Sequence, residues 1–89
     1  MLDETRLLLT LQRYYLGGLS FEKVARDAGI TLQELIDYVR DKDLRVILTD
    51  RDRVEGLKKV SYLMEQRGMK SAVKIAHEAY QKARIRESP

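Results

Sequence analysis

Glycine punctuation constrains this chain more than any other feature. Gly17-Gly18, Gly29 and Gly68 each follow a run in which apolar residues recur every three or four positions. Glycine tolerates a left-handed backbone, so in that place it ends a helix. The spacing predicts a first helix from about Asp3 to Leu16, with Leu7, Leu8, Leu11, Tyr14 and Tyr15 as its core face. Ser20 is a natural N-cap for a second helix to Ala28. Thr31-Leu32-Gln33-Glu34 is a capping box that opens a third, running to about Lys42.

After the third helix the period changes. Leu44-Arg45-Val46-Ile47-Leu48-Thr49 is rich in β-branched residues and predicts an extended connector or one short strand. Thr49 or Asp50 then caps a fourth helix through Arg67, with Val54, Leu57, Val60, Leu63 and Met64 turned inward. Ser71 is the expected cap of a fifth, whose packed stripe is Ala72, Ile75, Ala76, Ala79, Tyr80 and Ala83. The expected fold class is mainly α: an N-terminal three-helix helix-turn-helix module (1–43), then a short extended segment or strand and a two-helix hairpin (44–89) that dimerises.

Composition narrows the function classes. Apolar residues make up 44% of the 89 and charged residues 35%, too apolar for a disordered chain and too interrupted for a membrane span. A chain this short often completes its core by pairing with a second copy, so a homodimer is expected. The start, MLDETRLLLTLQRYY, lacks the basic opening and cleavage site of a signal peptide, and a cytoplasmic location is expected. Cysteine is absent, which excludes disulfides and thiolate chemistry. Asparagine is absent too, and with many interleaved charges the composition is thermophile-like.

Reactive groups are few. His77 is the single histidine, flanked by Ala76 and Glu78 on the expected outer side of the last helix, with no spaced partner for a metal or for acid–base work. No phosphate-cradling glycine loop or zinc-binding helix motif occurs. The expectation is a binding protein, not an enzyme, with no cofactor and no metal. Net charge is +3, and residues 69–89 carry most of it, with five basic residues against two acidic. Attraction for phosphate therefore comes mainly from the C-terminal half.

The corner at Ala28-Gly29-Ile30 carries the functional signal. Ala25 allows two helices to approach, Gly29 takes the turn, and Val24, Ile30, Leu35 and Tyr38 fill the angle. At 100° per residue the third helix puts Leu32, Leu35, Ile36, Tyr38 and Val39 on one side and Gln33, Glu34, Asp37, Arg40 and Asp41 on the other. The candidate DNA-contacting set is Thr31 at the helix N-terminus, Gln33 for an adenine edge, Arg40 for guanine or phosphate, and Lys42. Asp37, three residues before Arg40, is positioned to pair with it. Protein binding through the same helices, to a toxin or another partner and without DNA, is the alternative.

Two resemblances extend this reading. The run containing Tyr15, Gly18, Leu19, Ser20, Val24, Ala25, Ala28, Gly29, Ile30 and Thr31 resembles a family of small prokaryotic predicted antitoxins carrying a helix-turn-helix, over about Arg13 to Leu48. The resemblance implies duplex DNA binding as a homodimer, repression of a shared operon and a cognate toxin encoded nearby. The remainder, from Arg45 to Ala83, is similar in plan to a ribbon-helix-helix repressor, in which a strand pairs across a dimer and enters the major groove. That likeness implies Arg45, Ile47 and Thr49 on the groove face, Val46 and Leu48 toward the core, and Lys70 and Ser71 on phosphate.

Overall fold

The computed structural model describes residues 2–87, and within its last helix the side chains at 76, 79, 80 and 83–87 lie outside the description. Five helices make up the described chain: α1 (Glu4–Tyr15), α2 (Phe21–Ala28), α3 (Leu32–Asp41), α4 (Asp50–Gln66) and α5 (Lys70–Glu87). No strand occurs among the described residues, and no helix of theirs is long and apolar enough to cross a membrane.

The helix ends follow the sequence signals closely. Asp3, Ser20, Thr31 and Thr49 each accept a backbone N–H from the first turn of the helix they open. At the other end, three helices stop at a glycine with positive φ, and α3 stops at Asp43, whose φ is 54°. Asp43 N donates to Arg40 O at 3.2 Å and Leu44 N to Val39 O at 2.7 Å, the same double closure that Gly29 makes with Ile30 after α2. An aspartate in left-handed backbone carries strain that glycine does not.

α1 lies at the centre of the fold, packing against both α2 and α4, while α3 packs on α2 and α5 on α4. Its five predicted core residues are all buried, in one cluster with Val24, Ala25, Ala28, Leu35, Tyr38, Val39, Leu44, Leu57, Val60, Met64 and Ala72. The buried cluster thus draws on both halves of the chain. Gln12 is buried with it, and its Nε2 donates to the Ala72 carbonyl at 2.7 Å, which satisfies the amide in an apolar setting.

The 44–49 segment resolves as an extended connector, and its polar groups show why it forms no strand. Tyr15 OH donates to the Arg45 carbonyl at 2.7 Å, and Ile47 N donates to Tyr14 OH at 2.9 Å. Leu48 N and Thr49 N both donate to Asp52 Oδ2 at 3.1 Å. Side chains of α1 and α4 take the hydrogen bonds that a second strand would have supplied. Burial works to raise the Asp52 pKa, but the two amides and Arg45 outweigh it and hold the carboxyl below its usual range.

Two expectations for α5 are corrected. Ser71 is not its cap, because the helix already begins at Lys70, and Val73 N donates to Met69 O at 3.1 Å. The three-residue turn after α4 leaves no room for a later start, and half-buried Met69 packs on the core from the cap position. Ile75, expected in the packed stripe, is 53% exposed. Ala72 and Val73 pack instead. The stripe predicted at Ala76, Ala79, Tyr80 and Ala83 lies outside the described side chains.

Among the described residues, one buried side-chain group has no partner. The Ser61 hydroxyl, on the inner side of α4, makes no hydrogen bond, and a buried unpaired hydroxyl costs free energy that alanine would not. Ser61→Ala is expected to raise stability by about 1 kcal/mol, read as a higher denaturant midpoint at unchanged slope.

Candidate nucleic-acid interface

The corner forms as the residue types require. Ser20 Oγ accepts from Lys23 N at 3.3 Å to start α2, and Gly29, with φ 71° and ψ 31°, ends it. Ile30 N then donates to Ala25 O at 3.0 Å, turning the chain toward α3. Val24 and Leu35 are fully buried in the angle, with Ile30 half-buried beside them.

α3 begins with the predicted capping box. Glu34 N donates to Thr31 Oγ1 and Thr31 N to Glu34 Oε1, each at 3.1 Å. The Thr31 backbone bond, aided by its hydroxyl, holds the Glu34 carboxyl below the usual carboxylate range against a small desolvation effect. The helix N-terminus therefore already carries its own anion, and the Thr31 hydroxyl is committed to the cap. A phosphate arriving there would meet Glu34 first.

The outer face of α3 is exposed at Gln33, Glu34, Asp37, Arg40 and Asp41. Asp37 does not pair with Arg40 as expected; it accepts from Gln33 Nε2 at 3.0 Å. Gln33, one turn earlier on the same strip, reaches the carboxylate with a flexible amide. Arg40 is left with no ion-pair or hydrogen-bond partner for its guanidinium among the described residues. Gln33 and Arg40 share one face, seven residues apart, with Asp37 between them. Lys42 leaves that face: its Nζ lies 3.7 Å from Asp41 and 5.9 Å from the centre of the Tyr38 ring.

The second candidate set is arranged differently from the ribbon pattern. Ile47 packs half-buried on the core, whereas Val46 is exposed and Leu48 is 85% exposed. This reverses the facing that the likeness implies, because Tyr14 fixes Ile47 N from the core side. Arg45 pairs with Asp52 at 3.4 Å, and Thr49 caps α4. Lys70 and Ser71 are exposed as the first two residues of α5. The structure therefore does not bring Arg45, Ile47 and Thr49 onto one outward face.

Lys23 and Arg26 on α2 were not singled out from the sequence. Both are exposed, and neither side chain has an ion-pair partner among the described residues. Their place on the outer side of an amphipathic helix was the available signal. With Arg40 they give the corner three uncommitted cations, whereas Lys42, Arg45, Lys59 and Arg67 are each held by an acid.

Behind the corner, Glu4 ties three helices together. Its Oε1 accepts from Tyr38 OH at 2.7 Å and pairs with Arg67 just beyond α4. The Arg67 guanidinium, assisted by the Tyr38 hydroxyl and opposed by partial burial, holds the Glu4 carboxyl below its ordinary value of 4.5. A depressed carboxylate pKa contributes stability that is present above the unfolded value and lost as pH falls through the folded one. Glu4→Gln should therefore lower the melting temperature at pH 7, and the difference from the wild type should shrink as pH falls through the depressed Glu4 pKa. Tyr38→Phe, which removes a hydrogen bond to a charged acceptor, should cost about 1–2 kcal/mol.

Among the described residues, no group of three or more acidic or histidine side chains is placed to hold a metal. Comparison with protein-family models, with curated proteins and with solved structures finds no match to this chain.

Proposed function

We propose that this chain binds duplex DNA through the α2–α3 corner as a homodimer, and that it acts as an antitoxin-type repressor of the operon that encodes it. The observation that carries the reading is the uncommitted Arg40, aligned with Gln33 on a face of α3 that no other described helix covers. Arg40 suits guanine or phosphate. Gln33 suits adenine once it exchanges its bond to Asp37 for the base edge. Lys23 and Arg26 suit phosphate from the helix that crosses the backbone in helix-turn-helix docking. The resemblance of the 13–48 segment to antitoxin helix-turn-helix sequences supports the regulatory part, and the exposed Tyr62 and Ile75 of α4 and α5 give a dimer contact apolar surface to bury.

The second reading, protein binding without DNA, is favoured by the acids on α3: Glu34, Asp37 and Asp41 share the outer face with Arg40 and face phosphate unfavourably. A mobility-shift assay at low salt on the duplex upstream of the gene separates the two. The DNA reading predicts a complex that Gln33→Ala and Arg40→Ala weaken and that Arg45→Ala and Lys70→Ala leave nearly unchanged. Absence of any complex would transfer the argument to the protein-binding reading.

A further inference from the structure

The central helix keeps one narrow stripe in solvent. On α1, Leu7, Leu8, Thr10, Leu11, Gln12, Tyr14 and Tyr15 are buried. Arg6, Leu9 and Arg13 are exposed, as is Leu16 at the helix end. Steps of three, four and three residues put these four side chains on one strip. Leu9 and Leu16 are each 41% exposed. The arginines repeat at seven residues, as the leucines do, a spacing of about 10 Å along the axis. α2 flanks the strip: its Asp27, with Arg6, Leu9, Thr10 and Arg13, lines an open groove of about 330 Å³. Neither arginine's guanidinium has an ion-pair or hydrogen-bond partner among the described residues.

We propose that this strip, with the groove beside it, docks an acidic amphipathic helix of another protein. Leucines at i and i+7 are half of a helix-in-groove contact, and the partner supplies the other half with apolar residues at the same repeat. Two guanidiniums in register with them take carboxylates, which the Arg fork binds bidentately. Other occupants match less of the surface. Nucleic acid offers phosphates to Arg6 and Arg13 and nothing for Leu9 and Leu16 to bury. A second copy packing α1 on α1 would bring four arginines together with only Asp27 from each chain to offset them. Asp27 itself stands in the wall and repels an acidic partner, so its charge limits the affinity of the site.

This surface is separate from α3, and the proposal stands whether or not the corner binds DNA. The probe is a labelled synthetic helix of three heptads, with leucine at the two seam positions and glutamate beside them, and a twin carrying lysine in place of glutamate. Fluorescence anisotropy on the full chain should show the glutamate peptide binding with a Kd in the range of tens of micromolar and the lysine twin at least tenfold weaker. Leu9→Glu, and the double variant Arg6→Glu with Arg13→Glu, should each weaken the glutamate peptide at least tenfold with the circular-dichroism melt unchanged. Asp27→Asn should tighten it about threefold. Failure of the glutamate peptide to bind, equal binding of the two peptides, or indifference to Leu9→Glu would each overturn the proposal. So would a wild-type dimer that Leu9→Glu turns into a monomer in sedimentation, or an Arg6/Arg13 variant that loses DNA affinity and keeps the peptide.

Discussion

Gly56→Ala is expected to lower the melting temperature by about 10 °C or more, although alanine is the better helix former. Gly56 is buried in the middle of α4, and a Cβ built on it would overlap the Tyr15 ring. That ring has little freedom to move. Tyr15 is 1% exposed, its hydroxyl donates to the Arg45 carbonyl, and its edge lies against Tyr14 with centroids 5.0 Å apart. Helix propensity favours alanine by about 1 kcal/mol. Overpacking at a site without slack costs about 3 kcal/mol or more, so the steric effect decides the sign. With a total stability of about 5–10 kcal/mol for a domain of this size, the net loss is large. Combining Gly56→Ala with Tyr15→Leu should recover part of the melting temperature relative to Tyr15→Leu alone, because the methyl group then fills space that the ring had occupied. Thermal melts of the four proteins give this cycle directly. Stabilisation by Gly56→Ala in the wild-type background would mean that the ring does not lie on the glycine.

Arg40→Glu is expected to weaken DNA binding at least tenfold, and Asp37→Ala to strengthen it. Both residues are exposed on the outer face of α3, so neither change should disturb packing, and melting temperatures should stay within about 2 °C of the wild type. Arg40→Glu removes the free cation and places a third acid beside Asp37 and Asp41, which reverses the sign of what a phosphate meets. Asp37→Ala removes a carboxylate from that surface and releases the Gln33 amide from its 3.0 Å bond. Because each phosphate neutralised releases condensed counterions, the log–log salt slope should fall by about one when Arg40 is replaced by alanine. Equal affinities for Asp37→Ala, Arg40→Glu and the wild type would remove α3 from the interface.

Much of this architecture was legible because helix ends are written in local chemistry. Ser20, Thr31 and the Glu34 partner of the capping box stand where the sequence put them, and Gly29 and Gly68 end their helices. Those signals depend on residues within one turn of each other. What escaped depends on distant partners. The connector's apolar, β-branched run was equally consistent with a strand, and only Tyr14, Tyr15 and Asp52, reaching it from α1 and α4, decide against one. Gly56 carries no visible meaning in sequence, since a glycine inside a helix reads only as lost propensity until the Tyr15 ring is found on top of it. The end of α3 has no glycine to mark it, and Asp43 performs that turn. At the candidate interface the exposed polar residues of α3 follow the periodicity, but Leu32, expected on the inner side, is 42% exposed at the helix start, and the pairing within the face differs from the expected one. Gln33 and Arg40 both lie within reach of Asp37, and the sequence favoured the ionic partner where the structure has the amide.

Amide chemical-shift mapping of the labelled protein, titrated at low salt with the duplex upstream of its gene, tests the proposed contact between the α2–α3 corner and duplex DNA most directly. The largest shifts are expected at Lys23, Arg26, Gln33 and Arg40, with the connector and the start of α5 little changed. Shifts confined to Arg45, Thr49, Lys70 and Ser71, or none at saturating DNA, would contradict it.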